Sequence, residues 1–258
     1  MSKIICVFNQ KGGVGKTTTV VNLAAALGKL KKKVLVVDMD PQGNASSGMG
    51  VNKYALDHTV YDFIIDEGDL DDIKIESSSK NVDLIPSTPD LAGLEVELVG
   101  VKGWQFLLKK RMESGDLKGY DYIIIDSPPS LGQLSVNALV AADSVIIPIQ
   151  TEFYALEGVS QLMESYKMIV KNLNKDLKIE GILLSMFDGR NNLSLEVVEE
   201  VKKYFKDKVF KTVIPRNIKL AEAPSFGLSA LDHDPNSKGA IAYKKLAKEV
   251  IKNQEGGK

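Results

Sequence analysis

Near the start of the chain two lysines bracket a run of glycines, Lys11-Gly12-Gly13-Val14-Gly15-Lys16-Thr17-Thr18. Glycines let backbone N–H groups curl around an anion, a following helix N-terminus adds a positive dipole, a lysine reaches phosphate oxygens, and a hydroxyl beside it can ligate Mg²⁺. On that chemistry Gly12, Gly13 and Gly15 serve backbone approach, Lys16 contacts the β- and γ-phosphates of a nucleotide, and Thr17 ligates the metal. Val14 and Thr18 complete the cradle. The run departs from the usual phosphate loop in one respect: Gln10 stands where the first glycine is expected, and Lys11 begins a compressed version. Lysines this close repel unless an anion lies between them, so the loop is expected to bind one.

Carboxylates stand where such a site needs them. Val37-Asp38-Met39-Asp40-Pro41-Gln42-Gly43-Asn44 closes an apolar run and sets Asp38 and Asp40 two apart, on one side of an extended chain. Tyr122-Ile123-Ile124-Ile125-Asp126-Ser127-Pro128-Pro129 is an apolar strand ending in an acid, which makes Asp126 the candidate to hold Mg²⁺ through a water. Asp38 is read as supporting either the metal shell or the loop. The lone cysteine, Cys6, lies in an apolar run and is read as a buried thiol, while His58 and His233 are read as isolated surface residues. That leaves no thiolate, redox or zinc chemistry.

The elements that must position these groups are legible as β-branched apolar runs at Ile4 to Phe8, Val34 to Val37, Val82 to Ile85, Tyr122 to Ile125, Val145 to Ile149, Ile182 to Leu184 and Val209 to Ile214. Helical patterns lie between most of them, at Thr18 to Leu30, Leu156 to Val170, Leu195 to Phe205 and Ala240 to Ile251. The alternation predicts an α/β fold, a single-domain P-loop NTPase over residues 1–258, with a mostly parallel twisted sheet and helices on both faces. A polar tail over 253–258 is expected to fray.

With 258 residues, 44% apolar and 26% charged, the chain can bury a sizeable core. No apolar run reaches the roughly 18 residues of a membrane span, and a cytoplasmic location is expected. The net charge is −1, but it is unevenly spread: Asp57 to Glu76 holds eight acidic residues and one lysine, and Lys202 to Lys219 holds seven basic residues and one acid.

The early lysine of Lys11 to Thr18, followed by the Asp38 to Asn44 and Tyr122 to Pro129 segments, resembles the deviant Walker A ATPases, the group that includes ParA (Soj-type) and MinD. The resemblance runs from Lys3 to about Ile251 and implies ATP and Mg²⁺ as ligands. It implies that Lys11 crosses a two-fold interface to the phosphates bound by the other subunit, giving an ATP-dependent sandwich homodimer. There a second cation acts as an arginine finger does. By the same likeness Lys11, Lys16 and Asp40 are catalytic, Asp40 orienting or deprotonating the attacking water. The Pro215-Arg216-Asn217 segment lines the adenine, with Asn217 bonding the base and Pro215 packing on it; read without the resemblance, these residues are a strand-to-loop exit.

Tyr154-Ala155-Leu156-Glu157-Gly158 and Glu222-Ala223-Pro224-Ser225 look like the Soj-type ParA members. That likeness implies partitioning of chromosome or plasmid DNA. The ATP-bound dimer binds DNA without sequence preference, associating with the nucleoid, and a ParB-type partner triggers hydrolysis. No helix-turn-helix is seen before the first strand, so DNA contact is expected from basic residues of the ATPase domain itself. The candidates are Arg190 and Lys219, supported by Lys202, Lys203, Lys206 and Lys211. Phe226 to His233 departs from the family pattern. The alternative within the fold is a MinD-like membrane-associated regulator of septum placement, which needs a C-terminal amphipathic membrane helix. The stripe Tyr243, Leu246, Ala247, Val250 and Ile251 is expected instead to pack on the core, and no membrane partner is expected. A nitrogenase-reductase-like electron carrier needs paired interface cysteines that this chain lacks.

Overall fold

The computed structural model describes residues 2–65, 69–114, 117–152 and 155–256. Its strands are β1 (Lys3–Val7), β2 (Val34–Asp38), β3 (Ile75–Glu76), β4 (Val82–Ile85), β5 (Tyr122–Asp126), β6 (Ser144–Gln150) and β7 (Lys178–Ser185). They form one sheet in the order β3-β4-β2-β5-β1-β6-β7. Every pairing is parallel except that of the short edge strand β3 with β4, which the sequence did not lead us to expect.

The strands read as unbroken apolar runs because both faces of the sheet are covered. Cys6, Leu35, Val37, Ile123 and Ile125 point into one core, and Ile5, Val7, Val36 and Ile124 into the other. Cys6 is fully buried, as expected, and burial pushes its thiol far above the usual range. The first core is closed by the helices Gln133–Ala141 and Ala155–Asn172, the second by α1 (Lys16–Lys29) and the helix Lys238–Gly256. In that last helix Tyr243, Leu246, Ala247 and Val250 are buried in the second core, with Ile251 packed at its margin. The apolar stripe is therefore spent inside the protein. Among the described residues no helix is long and apolar enough to cross a membrane.

Three boundaries differ from the sequence reading. The last helix continues to Gly256, through residues read as a frayed tail; 257–258 lie outside the described residues. β7 begins at Lys178, four residues before the apolar run, because its polar start pairs with Ser144. The segment Val209 to Ile214 is not a strand. Its main chain pairs with β7 through a single isolated bridge, Val209 to Ile182, and through Phe210 N donating to Ile182 O and Ile214 N to Leu184 O, while the Phe210 ring packs over Gly181. Between those contacts the chain bows out, and Lys211 N and Thr212 N donate to the Glu249 carboxylate instead, so the ladder cannot propagate.

One close approach fixes where α1 lies. Gly28 faces the turn before β4, and Asn81 Nδ2 donates to its carbonyl at 2.9 Å. A Cβ at Gly28 would sit 2.3 Å from the Lys80 carbonyl oxygen and 2.9 Å from a Val82 methyl. Gly28→Ala is therefore expected to destabilise the protein by about 1–3 kcal/mol in urea unfolding, even though alanine is the better helix former. An unchanged or raised midpoint would mean that the 80–82 turn yields.

Candidate functional site

Order reverses in the sheet around β1: the chain leaves it, passes β5 and enters β2, so the carboxyl ends of β1, β5 and β2 surround a crevice of the kind in which open α/β sheets bind ligands. The loop from Phe8 to Gly15 fills one side. Gly13 and Gly15 have φ of 75° and 88°, values that favour glycine, and together they turn the chain so that α1 starts directly beneath the loop. No side chain caps α1, and a Cβ built on Gly12, Gly13 or Gly15 would meet nothing within 4 Å. The first-turn N–H groups thus face open space, an arrangement suited to an anion.

The loop is held from behind. Asn9 Nδ2 donates to Pro148 O at 2.7 Å while its Oδ1 accepts from Lys11 N at 3.0 Å. Gln10 Nε2 donates to Ser165 Oγ, and Ser185 Oγ to Val14 O. Gln10, the departure from the usual pattern, is thereby a tether to the Ala155–Asn172 helix. Lys16 is buried, its ammonium donating to Lys11 O at 3.3 Å, whereas the Lys11 side chain is exposed. Burial lowers the Lys16 pKa, and Asp126 and Asp40 work against that shift.

Asp38 and Asp126 are register partners on β2 and β5, both without exposed surface, and Asp40 is nearly as buried. Asp38 accepts from Ser46 N and Ser46 Oγ at 2.9 and 2.7 Å, and from Asp40 N. Even so, burial raises its pKa to about 6, the Ser46 and Asp40 bonds countering only part of the cost and the Asp40 charge adding to it. Asp126 is raised as well, by burial first and by the Asp38 charge second, with the neighbouring Thr17 hydroxyl and Lys16 opposing the shift; among the described residues it accepts no hydrogen bond of standard geometry. A buried carboxyl so weakly satisfied, beside a hydroxyl and an ammonium at the end of a phosphate-loop crevice, fits a cation and its water shell. Ser46, which holds Asp38, was not identified from the sequence; eight residues of spacing across a strand-to-helix turn carry no signal of such a bond.

Beside the loop lies a cavity of about 350 Å³, running from Gly15 and Thr18 to Met186, Pro215, Asn217 and Tyr243. Its walls are mainly apolar, and Asn217 Oδ1 is buried there without a partner. The structure thus brings Pro215 and Asn217 next to the phosphate loop, although they are about 200 residues away in the chain. Three clefts at least as large, of about 600, 1040 and 360 Å³, open around Tyr120, Lys178 and Lys118 with walls of mixed charge, away from the loop and the three carboxylates.

The basic candidates do not form one cluster. Arg190 is exposed just past the end of β7, forked onto Asp188 at 2.9 and 3.0 Å, which holds that carboxyl down to about 2. Lys219 pairs with Glu222 at 2.8 Å. Lys202, Lys203 and Lys206 sit at the far end of the 14-residue helix Asn192–Phe205, roughly 20 Å along its axis from Arg190, with Lys211 beyond. Contiguity in sequence was misleading because that helix runs back antiparallel to β7. His233 is not isolated either: its ring stacks on Phe226 at 4.8 Å and lies 4.0 Å from Glu222. His58 is exposed, as expected, though it too has a carboxylate beside it, Asp62 at 4.0 Å. Tyr154 and the side chains of residues 155–157 lie outside the described residues. Among the described residues there is no cluster of three or more His, Cys, Asp or Glu that could hold a metal by itself.

Residues 2–179 match the family described as an AAA domain. The chain is 55% identical over 253 residues to the sporulation initiation inhibitor protein Soj of Bacillus subtilis, covering 98% of this chain and 100% of that protein. It is 48% identical to the chromosome partitioning protein ParA of Myxococcus xanthus, covering 98% of this chain and 89% of that one. Among solved structures, cobyrinic acid a,c-diamide synthase from Mycobacterium smegmatis with bound ADP and magnesium superposes with a TM-score of 0.87 at 33% identity, covering 100% of this chain and 97% of that one.

The buried Asp126 carboxyl gives a prediction for the protein alone. A buried acid whose folded pKa lies above its unfolded value destabilises the fold as pH rises, because the unfolded chain ionises first. Asp126→Asn removes that penalty. In chelator, urea unfolding should show Asp126→Asn more stable than wild type at pH 7.5, by about 1 kcal/mol or more, with the gap closing toward pH 4. A less stable variant at pH 7.5 would mean the carboxylate is compensated.

Proposed function

The chain belongs to the Soj/ParA-type partitioning ATPases, and on that premise we propose that it binds ATP and Mg²⁺ in this crevice, closes into a dimer on DNA, and hydrolyses the nucleotide when a ParB-type partner engages it. The observation that carries the reading is the continuity of the site. An apolar slot holds the unpartnered Asn217 carbonyl and borders the phosphate loop at Gly15 and Thr18, and the loop residues Lys16 and Thr17 in turn act on the buried Asp126 carboxyl. A planar base with an exocyclic amine suits the slot, since Asn217 Oδ1 offers an acceptor and Pro215 a flat apolar wall.

In this reading Lys16 lies along the phosphates, and the open N–H groups of Gly12 to Thr18 wrap them. Thr17 and Asp126 would hold Mg²⁺, Asp126 through water, with Asp38 supporting the arrangement from behind; bound there, the metal would neutralise phosphate charge. Asp40 orients the attacking water and takes up its proton as the oxygen adds to the γ-phosphorus and the ADP oxygen leaves. Lys11, exposed and bound only through its main chain, is free to reach the phosphates of a second subunit.

A dimer doubles the basic groups on one surface, so ATP controls DNA binding through phosphate contacts. Arg190 and Lys219, near the nucleotide edge, are the favoured contacts; both are committed to carboxylates and must exchange them for DNA phosphates. Lys202, Lys203, Lys206 and Lys211 form a second, more distant group. The place of action is the cytoplasm, on the nucleoid when ATP is bound. The MinD-like alternative loses support because its distinguishing stripe is buried in the core.

Three variants test the proposal. Asp40→Ala should bind ATP and Mg²⁺ with wild-type affinity, lose at least about 100-fold in turnover, and accumulate as dimer in sedimentation. Lys11→Ala should bind ATP but stay monomeric with a non-hydrolysable analogue. Wild-type turnover in the first, or a wild-type dimer in the second, removes that residue from its role. Arg190→Ala should weaken binding to unrelated duplexes equally and flatten the slope of log affinity against log salt by about one unit. Unaltered affinity and slope would take Arg190 off the DNA surface.

A further inference from the structure

Resting on the reading above, we propose that Lys53 is a positioning residue for hydrolysis, one that holds the Asp40 turn against the phosphate loop. The turn is compact. Asp40 Oδ1 accepts from Gln42 N at 2.9 Å, Asp40 O accepts from Gly43 N at 2.8 Å, and Gly43 has φ of 58°. At Gly43 it is pressed onto the Ser87 carbonyl, which a Cβ there would approach to 2.6 Å. Lys53 packs at the same place: its ammonium donates to Gln42 O at 2.7 Å and its Cδ lies 2.7 Å from the same Cβ position.

Both main-chain ends of Gln42 are therefore occupied: its N–H fixes the Asp40 carboxylate, and its carbonyl is fixed by Lys53. A rotation of this residue would carry the carboxylate with it. Among the described residues, Lys53 is the only side chain from outside 38–47 that hydrogen-bonds the Asp40–Gly43 turn.

Lys53 is itself anchored. It opens the short 3-10 turn Lys53–Ala55, capped by Asn52, whose side chain accepts from Tyr54 N. Just before it, Gly50 N and Val51 N donate to Ser47 O and Ser46 O of the helix Asn44–Gly48. Ser46 is the residue that holds Asp38. The route Asp38 to Ser46 to Val51 to Lys53 to Gln42 to Asp40 forms a ring, so the ammonium closes a frame around the two carboxylates rather than resting on a free loop. Displacing a water-orienting group by a fraction of an ångström is enough to slow a reaction without loosening the substrate.

The test is steady-state ATP hydrolysis with Mg²⁺, read alongside nucleotide affinity. Lys53→Met keeps the stem over Gly43 and removes the ammonium; kcat should fall about tenfold, with KM and the ATP dissociation constant within about twofold of wild type. Lys53→Arg, which can still donate to Gln42 O, should recover most of the rate. Adding Lys53→Met to Asp40→Ala should slow the enzyme no further. Wild-type kcat in Lys53→Met, a defect confined to KM, an arginine variant no better than methionine, or an additive double variant would each overturn the proposal. If Asp40→Ala itself turned over at the wild-type rate, the catalytic reading would have failed first. Inactive Asp40→Ala with unimpaired Lys53→Met would sink the role of Lys53 alone.

Discussion

Asp38 and Asp126 are register partners on neighbouring parallel strands, both sealed from solvent, and the energetic cost of that placement organises the crevice. A buried carboxylate has to be hydrogen-bonded, neutralised, or matched by a cation. Asp38 takes the first course, through Ser46 and the Asp40 main chain. Asp126 accepts no hydrogen bond of standard geometry among the described residues, and the neighbours that favour its ionised form are the Thr17 hydroxyl and Lys16, the latter buried and directed at the loop carbonyl of Lys11. Burial thus holds the carboxyl pair toward its neutral form, and a cation that lodges there draws it into ionisation.

The phosphate loop, the three carboxylates and the α/β class were legible in the chain because they obey local rules: glycines before a helix, acids at the ends of β-branched runs, alternation of strand and helix. The place of Pro215 and Asn217 in the apolar cavity was legible only through family likeness. Pro215 and Asn217 follow a segment that reads as a strand, and what makes them part of a site is the return of the chain along β7, which no local pattern records. Val209 to Ile214 has strand composition but loses its ladder to the Glu249 carboxylate, a contact from a helix about 40 residues on. Ser46, Gln10 and Lys53 were missed as supports for a similar reason: each acts through one hydrogen bond whose partner is set by tertiary packing.

The basic surface illustrates the same limit. Lys202 to Lys219 is dense in positive charge along the chain, yet the helix Asn192–Phe205 separates its start from Arg190 by most of its length. Charge density along a sequence and charge density on a surface are different quantities, and a helix reversing direction at the sheet edge is enough to divide them. Arg190 and Lys219 are each already balanced by an acid two or three residues away.

The cavity next to the loop has a temporal consequence. Its floor, Gly15 and Thr18, is made first, while Met186, Asn217 and Tyr243 of its walls come from the last third of the chain. Tyr243 also hydrogen-bonds Thr19 at 3.1 Å, joining the final helix to the first. A chain emerging from the ribosome therefore carries the glycine loop long before the cavity beside it has walls. A nascent product can gather the early strands around that loop, but the cavity closes only when the final helix joins the first.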